Sequence, residues 1–288
     1  MLDTILTILI FGTIFASVQA LLAMGFTLVY GVGKVLNLAH GGFYIVAGYI
    51  IFMFNVELGY PLPIAFIVAL IVIMIIGALT YLLLIKELQD NEVSVLIVTF
   101  GLAFFFEQFI IVYWGSRPKF VEPLISGTVN VLGVRFAAQS LLIIIATFII
   151  IFALVLFIQK SKLGKSIRAV SQDREAAMLS GINANRMIMY TLIISAFLVG
   201  LAAVLRVPGD SIAPHIGWIN LTNAFAVVIL GGLGSIKGSV LASFLIGISQ
   251  SFVGTVIGYD FSALIPIIII LLVLIIRPRG LFGKKEVK

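Results

Sequence analysis

"LLIIIATFIIIFALVLFI", Leu141 to Ile158, runs for eighteen residues without a charge and with a single hydroxyl, Thr147. An apolar run of about 20 residues is what an α-helix needs to cross the hydrocarbon core of a bilayer. No water is at hand in that core for backbone N–H and C=O groups, so a crossing segment must pair them internally. The same texture recurs along the chain, which is 62% hydrophobic and only 10% charged over 288 residues. That is too little charge to cover a soluble protein of this size. The sequence predicts an all-α, polytopic helical membrane protein, a single transmembrane domain over 1–288.

Outward from this run, hydropathy marks segments near 4–30, 38–55, 62–85, 93–114, 137–158 and 187–207. The pattern then breaks into shorter pieces at 218–231, 239–257 and 263–276, interrupted by Gly or Pro. About nine membrane segments are expected, within a range of eight to ten, some of them short, Gly-broken or re-entrant. With nine crossings and the N-terminus outside, the inner connections and the tail hold fourteen of the eighteen Lys and Arg residues. Cations gather on the cytoplasmic side of membrane proteins, so the sequence places the N-terminus outside and the C-terminus in the cytoplasm. The same bias accounts for the net charge of +6 without nucleic acid as a partner. The basic tail over 277–288, "RPRGLFGKKEVK", resists translocation and can touch anionic lipid of the bilayer. "RVPGDSIAPHIGW", Arg206 to Trp218, is read as an outer connection ending in an interfacial Trp.

Cysteine is absent, which excludes disulfides, thiol catalysis and Cys-ligated metals. His40 and His215 are the only histidines, and no carboxylate cluster joins them, so no metal site is expected. "MLDTILTILIFG" has no basic n-region, so a cleaved signal peptide is not expected. "GKS" at Gly164 to Ser166 imitates a phosphate loop, but the earlier glycine that such a loop needs is Gln159 here. ATP hydrolysis by this chain is therefore excluded, and no convergent set of nucleophile, base or ligands marks an enzyme. No cofactor is implied.

The longest polar interruption is the loop over 160–186, which carries "LGKSIRAVSQDREAAMLSGINANR" from Leu163 to Arg186. Asp173 to Ser180 reads as a short amphipathic helix, capped by Asp173 or Ser171 and closed by Gly181. A loop that only set topology through its charge would have no use for "EAAMLSG", whose small residues suit close packing under another protein. "EAA" with a Gly four residues beyond resembles the coupling motif of ABC importer permeases. "IRAVSQDREAAMLSGIN", "VYGVGKVLNLAHGGFYIVAGY" (Val29 to Tyr49), "AVVILGGLGSIKGSVLASFLIGI" (Ala226 to Ile248) and "RPRGLFG" together resemble the branched-chain amino acid permeases of the LivH type. These stretches cover roughly a third of the chain, in family order.

The resemblance implies a permease subunit in the cytoplasmic membrane of a prokaryote, moving branched-chain amino acids and driven by two separate ATP-binding subunits. It also implies an extracytoplasmic solute-binding protein and a second, related permease, a heterodimer in preference to a homodimer. The ATPase-coupling loop would use Arg168, Ala169, Asp173, Glu175, Ala176, Ala177 and Gly181. Related permeases move sugars, amides or urea, and residue chemistry alone does not separate those solutes. Arg206 departs from the family pattern, which is usually uncharged there.

Two Gly-broken segments point to a translocation pathway. "NLAHGG" puts Asn37, His40, Gly41 and Gly42 at the start of a span, and "LGGLGSIKG" supplies Gly231, Gly232 and Gly234, with Asn223 upstream. Broken segments in the two halves of a transporter mark binding sites, while glycines also simply let helices approach. His40 is either a hydrogen-bonded tie between helices or a pathway residue. Glu107 is the one strongly intramembrane carboxylate, either functional or a paired structural group. A secondary transporter usually carries more such carboxylates for ion coupling, which argues against that alternative.

Overall fold

The computed structural model describes residues 2–277 and 279–283. Twelve helices and four short strands are seen among them. In chain order these are α1 (Leu2–Gly33), α2 (Ala39–Phe52), α3 (Leu62–Leu79), α4 (Glu92–Trp114), β1 (Lys119–Phe120), β2 (Thr128–Val131), β3 (Val134–Ala137) and α5 (Ala138–Lys160). The second half holds α6 (Lys162–Gln172), α7 (Arg174–Leu179), α8 (Ala184–Arg206), β4 (Ser211–Ile212), α9 (Ile216–Gly231), α10 (Ile236–Val256), α11 (Tyr259–Ser262) and α12 (Ile265–Ile276). Wide π turns extend α2 over Met53–Glu57 and α3 over Thr80–Ile85.

Eight helical stretches among the described residues are long and apolar enough to cross a membrane. The ninth expected segment is α9, 16 residues long and too short for that class by itself. The chain is thus a polytopic helical membrane protein, and the expected boundaries hold to within four residues after the first span. Of the basic tail expected over 277–288, residues 278 and 284–288 fall outside the described residues.

Exposure follows the lipid. α3, α4, α5 and α12 turn large apolar side chains outward, among them Leu83, Val112, Phe152 and Ile275. Such a surface is ruinous in water but neutral in hydrocarbon, where packing and not hydrophobicity decides which faces meet. α1 is the helix around which the others gather; it packs against α5, α8, α9 and α10. Its 32 residues span about 48 Å at 1.5 Å per residue, more than the roughly 30 Å of hydrocarbon. Small residues let α10 approach: a Cβ on Gly12 would stand 2.8 Å from the Ile248 Cα, and one on Gly247 would stand 2.7 Å from the Ala16 nitrogen. α3 meets α8 in the same way, through Gly77 against Ala196.

The bundle has two distinct ends. At one, the start of α1 lies beside the β2–β3 hairpin, β1 pairs antiparallel with β4, and Val121 bridges to Pro208. At the other, Gly31 meets Gly234, the chain over 281–282 bonds back to Leu230 and Gly231, and α6 hangs below α5. The strands were not anticipated. Their signal is weak: Leu132 and Gly133 both take positive φ and close a two-residue hairpin, with Asn130 Oδ1 accepting from the Gly133 N–H.

Candidate functional site

The amphipathic loop folds as two helices at the end of the bundle opposite the strands. Ser161 caps α6 by accepting from the Gly164 N–H at 2.8 Å. Gly164, Ile167 and Val170 turn inward, while Lys165 and Arg168 face out, and Ala169 is half-buried. Gly164 belongs to this packing and to no phosphate loop: a Cβ there would press on the carbonyls of Phe157 and Ile158. Arg168 donates to the Gln159 carbonyl at 3.3 Å.

Asp173 caps α7, accepting from the Ala176 N–H at 2.9 Å, as its position predicts. The helix ends in a Schellman motif: the Ile182 N–H reaches the Ala177 carbonyl at 3.0 Å, and the Gly181 N–H reaches the Met178 carbonyl at 2.9 Å. Gly181 sits at φ +81° with nothing of this chain near where a Cβ would be. Glu175 and Ala176 are exposed, but Ala177 is buried in the chain's own core. Met178 and Leu179 stand out instead, Leu179 with 91% of its surface exposed. Arg174 anchors the helix from behind, donating to Asn185 at 3.1 Å and lying 3.8 Å from Asp90. Gln89 donates to the same Asn185 oxygen. The connection after α3, the start of α7 and the first turn of α8 are thereby tied together.

The second Gly-broken segment meets the end of α1, while the first packs on α9 and α4. A Cβ on Gly31 would stand 3.4 Å from the Gly234 Cα, and Gly231 packs on Gly238. Gly232 takes φ +96° with the backbone at Gly283 against it. Gly41 faces Gly217, where a Cβ on Gly41 would collide with the Gly217 carbonyl, and Gly42 lies on Ala103 and Phe106. Each of these glycines thus lies at a close approach. Asn37 is buried, its Oδ1 accepting from the Ala39 N–H at 3.1 Å. His40 is fully engaged: Nε2 donates to the Leu22 carbonyl at 2.8 Å, which leaves Nδ1 to accept from Ser195 at 3.3 Å. It ties α1, α2 and α8.

Asn223 lies elsewhere. It lines a cavity of about 470 Å³ among α1, α2, α9, α10 and α12, toward the end of the bundle that carries the strands. Arg206 and Asp210 stand at its mouth in an ion pair of 2.7 Å. Farther in, Gln250 donates to the Asn223 oxygen at 3.3 Å, and Gln19 is buried with its Oε1 unpartnered. Phe15, Val18, Ile216 and Ile267 supply apolar wall. Two helical turns beyond Gln19 and two residues beyond Asn223, Phe26 and Phe225 meet with ring centroids 4.7 Å apart, within an apolar cluster that includes Ala23, Val227 and Ile246. Trp218 also borders the cavity. Its indole N–H is taken inside the bundle by Glu107 at 2.6 Å, so this Trp is not a free interfacial anchor and Glu107 is a paired group.

Residues 8–274 match the family described as "Branched-chain amino acid transport system / permease component". This chain belongs to that family. Among its relatives, the high-affinity branched-chain amino acid transport system permease protein BraD of Pseudomonas aeruginosa is 32% identical, with 97% of this chain and 96% of that protein aligned. The permease protein LivH of the corresponding system in Escherichia coli K12 is 28% identical over 96% of this chain and 95% of its own. In fold, the chain is similar to PsaBC from Streptococcus pneumoniae in complex with Fab, with a TM-score of 0.53, 15% identity, and coverage of 93% of this chain and 91% of that one.

As a permease component of a transport system, the protein is a transport subunit and works with partner subunits. Sequence reasoning missed several residues that the permease brings into play. Met178 and Leu179 were read as part of the amphipathic helix but not as its outward face. Nothing in the sequence marks Arg174 as the anchor of this helix. Gln19 and Gln250 lay unremarked inside apolar spans, where a buried amide is itself a signal.

Proposed function

We propose that this permease is the membrane subunit of an ABC importer that moves branched-chain amino acids inward, driven by separate ATPase subunits docked on α7. The observation that carries the reading is the exposed Leu179 on a capped helix at the cation-rich end of the bundle. An aliphatic side chain in water, on a helix held rigid by Asp173, Gly181 and Arg174, is suited to a pocket on another protein. Glu175, Ala176 and Gly181 complete the docking face. Arg168 and Ala169 flank it on α6, and Ala177 holds the helix against the chain.

The excess of Lys and Arg at this end supports a cytoplasmic orientation for it, with the N-terminus and the strands outside. The cavity then opens to the side from which an extracytoplasmic binding protein would deliver solute. The pathway is assigned to Asn223 and the cavity around it. Asn37, His40, Gly41, Gly42, Gly231, Gly232 and Gly234 form the close-packed frame that rearranges when the route opens inward. One docking helix per chain and two ATPases per importer favour a second, related permease as partner, joined through small-residue helix faces.

The amino-acid reading rests on the relatives. A ligand screen on the binding protein encoded beside this gene tests it: tight binding of leucine, isoleucine or valine supports it, and a sugar as the sole tight ligand contradicts it. Purifying the chain with its ATPases and binding protein alone tests the heterodimer. Transport at the native rate without a second permease would overturn that part.

A further inference from the structure

The mouth of the cavity holds both signs of charge side by side. Arg206 ends α8 and Asp210 follows four residues later, with 33% and 43% of their side chains exposed. A pair this exposed contributes only about 0–1 kcal/mol to a fold, so stability is a poor reason for placing it here. A solute without charge would also have no use for it. A zwitterion would: a guanidinium takes a carboxylate through two parallel N–H bonds, and a carboxylate takes an ammonium.

The surroundings match the remainder of such a solute. Phe15, Val18, Ile216 and Ile267 offer an aliphatic side chain a dry wall, and the buried Gln19 oxygen lacks a partner. The cavity's 470 Å³ lies within the roughly 300–1,000 Å³ of small-molecule sites. Tyr44 and Asn220 line the same cavity and add neutral polar groups to it.

We propose that the Arg206–Asp210 pair opens to receive the α-carboxylate and α-ammonium of an aliphatic amino acid, whose side chain lies against Phe15, Val18, Ile216 and Ile267. The cavity is then a selective way-station between the binding protein and the pathway. This inference rests on the amino-acid reading above and deepens it.

Two measurements test it, the first on the complete importer and the second on the permease chain itself. In proteoliposomes with leucine-loaded binding protein, Arg206→Gln and Asp210→Asn should each lower leucine uptake at least tenfold. The double variant should stay as low as either single one, provided it still assembles with its partners on size-exclusion chromatography. Recovery in the double variant, where neither charge is left alone, would mean a merely structural pair and overturn the proposal. In the single-tryptophan protein Trp114→Phe, the emission of Trp218 should shift with leucine in the absence of binding protein. It should not respond to 4-methylpentanoate, which lacks the ammonium, or to isoamylamine, which lacks the carboxylate. No response to leucine, or equal responses to all three, would also overturn it. A binding protein that refuses aliphatic amino acids would sink the underlying reading instead, and the Trp218 titration still decides whether this cavity takes a zwitterion.

Discussion

The Ile182 amide reaches back across Gly181 to the Ala177 carbonyl at 3.0 Å, and this bond closes the helix that presents Leu179. The glycine between them adopts φ +81° and has open space where a side chain would go. Its job within the chain is conformational, so what a substitution does there depends on whether a partner fills the space.

Gly181→Ala forces an L-residue into the left-handed region at about 1–2 kcal/mol, whereas Asn tolerates it. If conformation alone mattered, Gly181→Asn would keep substrate-stimulated ATPase near wild type. With a partner packed there, as proposed, Asn and Leu both uncouple hydrolysis from uptake, Leu more severely. ATPase and uptake assays on the reconstituted complex distinguish the two outcomes.

Leu179→Asp should detach the ATPase without harming the membrane fold, because the side chain touches almost nothing of its own chain. Loss of an interface anchor costs about 2 kcal/mol or more, roughly thirtyfold in affinity. Co-purification of the ATPase subunits with the variant, against an unchanged melting profile of the permease, checks this. Arg174→Ala should also weaken coupling, by loosening α7 from Asn185 and Asp90.

Glu107 separates an importer permease from an ion-coupled carrier. Its contact with the Trp218 N–H at 2.6 Å needs only an acceptor. Glu107→Gln keeps an acceptor and should transport normally; Glu107→Leu leaves a half-buried donor without its partner and should lower thermal stability. Abolished uptake in a stably folded Glu107→Gln protein would point to ion coupling.

Gly41→Ala should be poorly tolerated, since its methyl would collide with the Gly217 carbonyl where α2 crosses α9. Overpacking at such a crossing costs about 1–3 kcal/mol. Reduced yield and an earlier melting transition are expected, whereas Gly101→Ala, with nothing near its added Cβ, should be silent.

The membrane class and most span boundaries were legible because hydrocarbon demands long apolar helices and leaves few alternatives. The capped helix α7 was legible for a local reason: Asp173 and Gly181 are both start and stop signals within one turn of the helix they bound. The burial of Ala177 and the exposure of Leu179 were not, because a six-residue helix shows no periodicity strong enough to fix its inward face. The cavity was illegible as well. Arg206, Asn223 and Gln250 are far apart in sequence, and only the packing of α8, α9 and α10 around α1 brings them together. Gly41 and Gly234 stand out in the sequence as parts of broken segments, but nothing there says that Gly41 would face Gly217 or that Gly234 would face Gly31.

The proposal that energy from ATP enters these membrane helices through α7 is tested most directly by a single uptake experiment. Proteoliposomes carrying the permease pair and its ATPases, with binding protein outside, are supplied with labelled leucine. The account predicts accumulation only when ATP is enclosed, none under an imposed proton or sodium gradient, and none in either case with Leu179→Asp. Gradient-driven accumulation without ATP, or ATP-driven accumulation that survives Leu179→Asp, would contradict it.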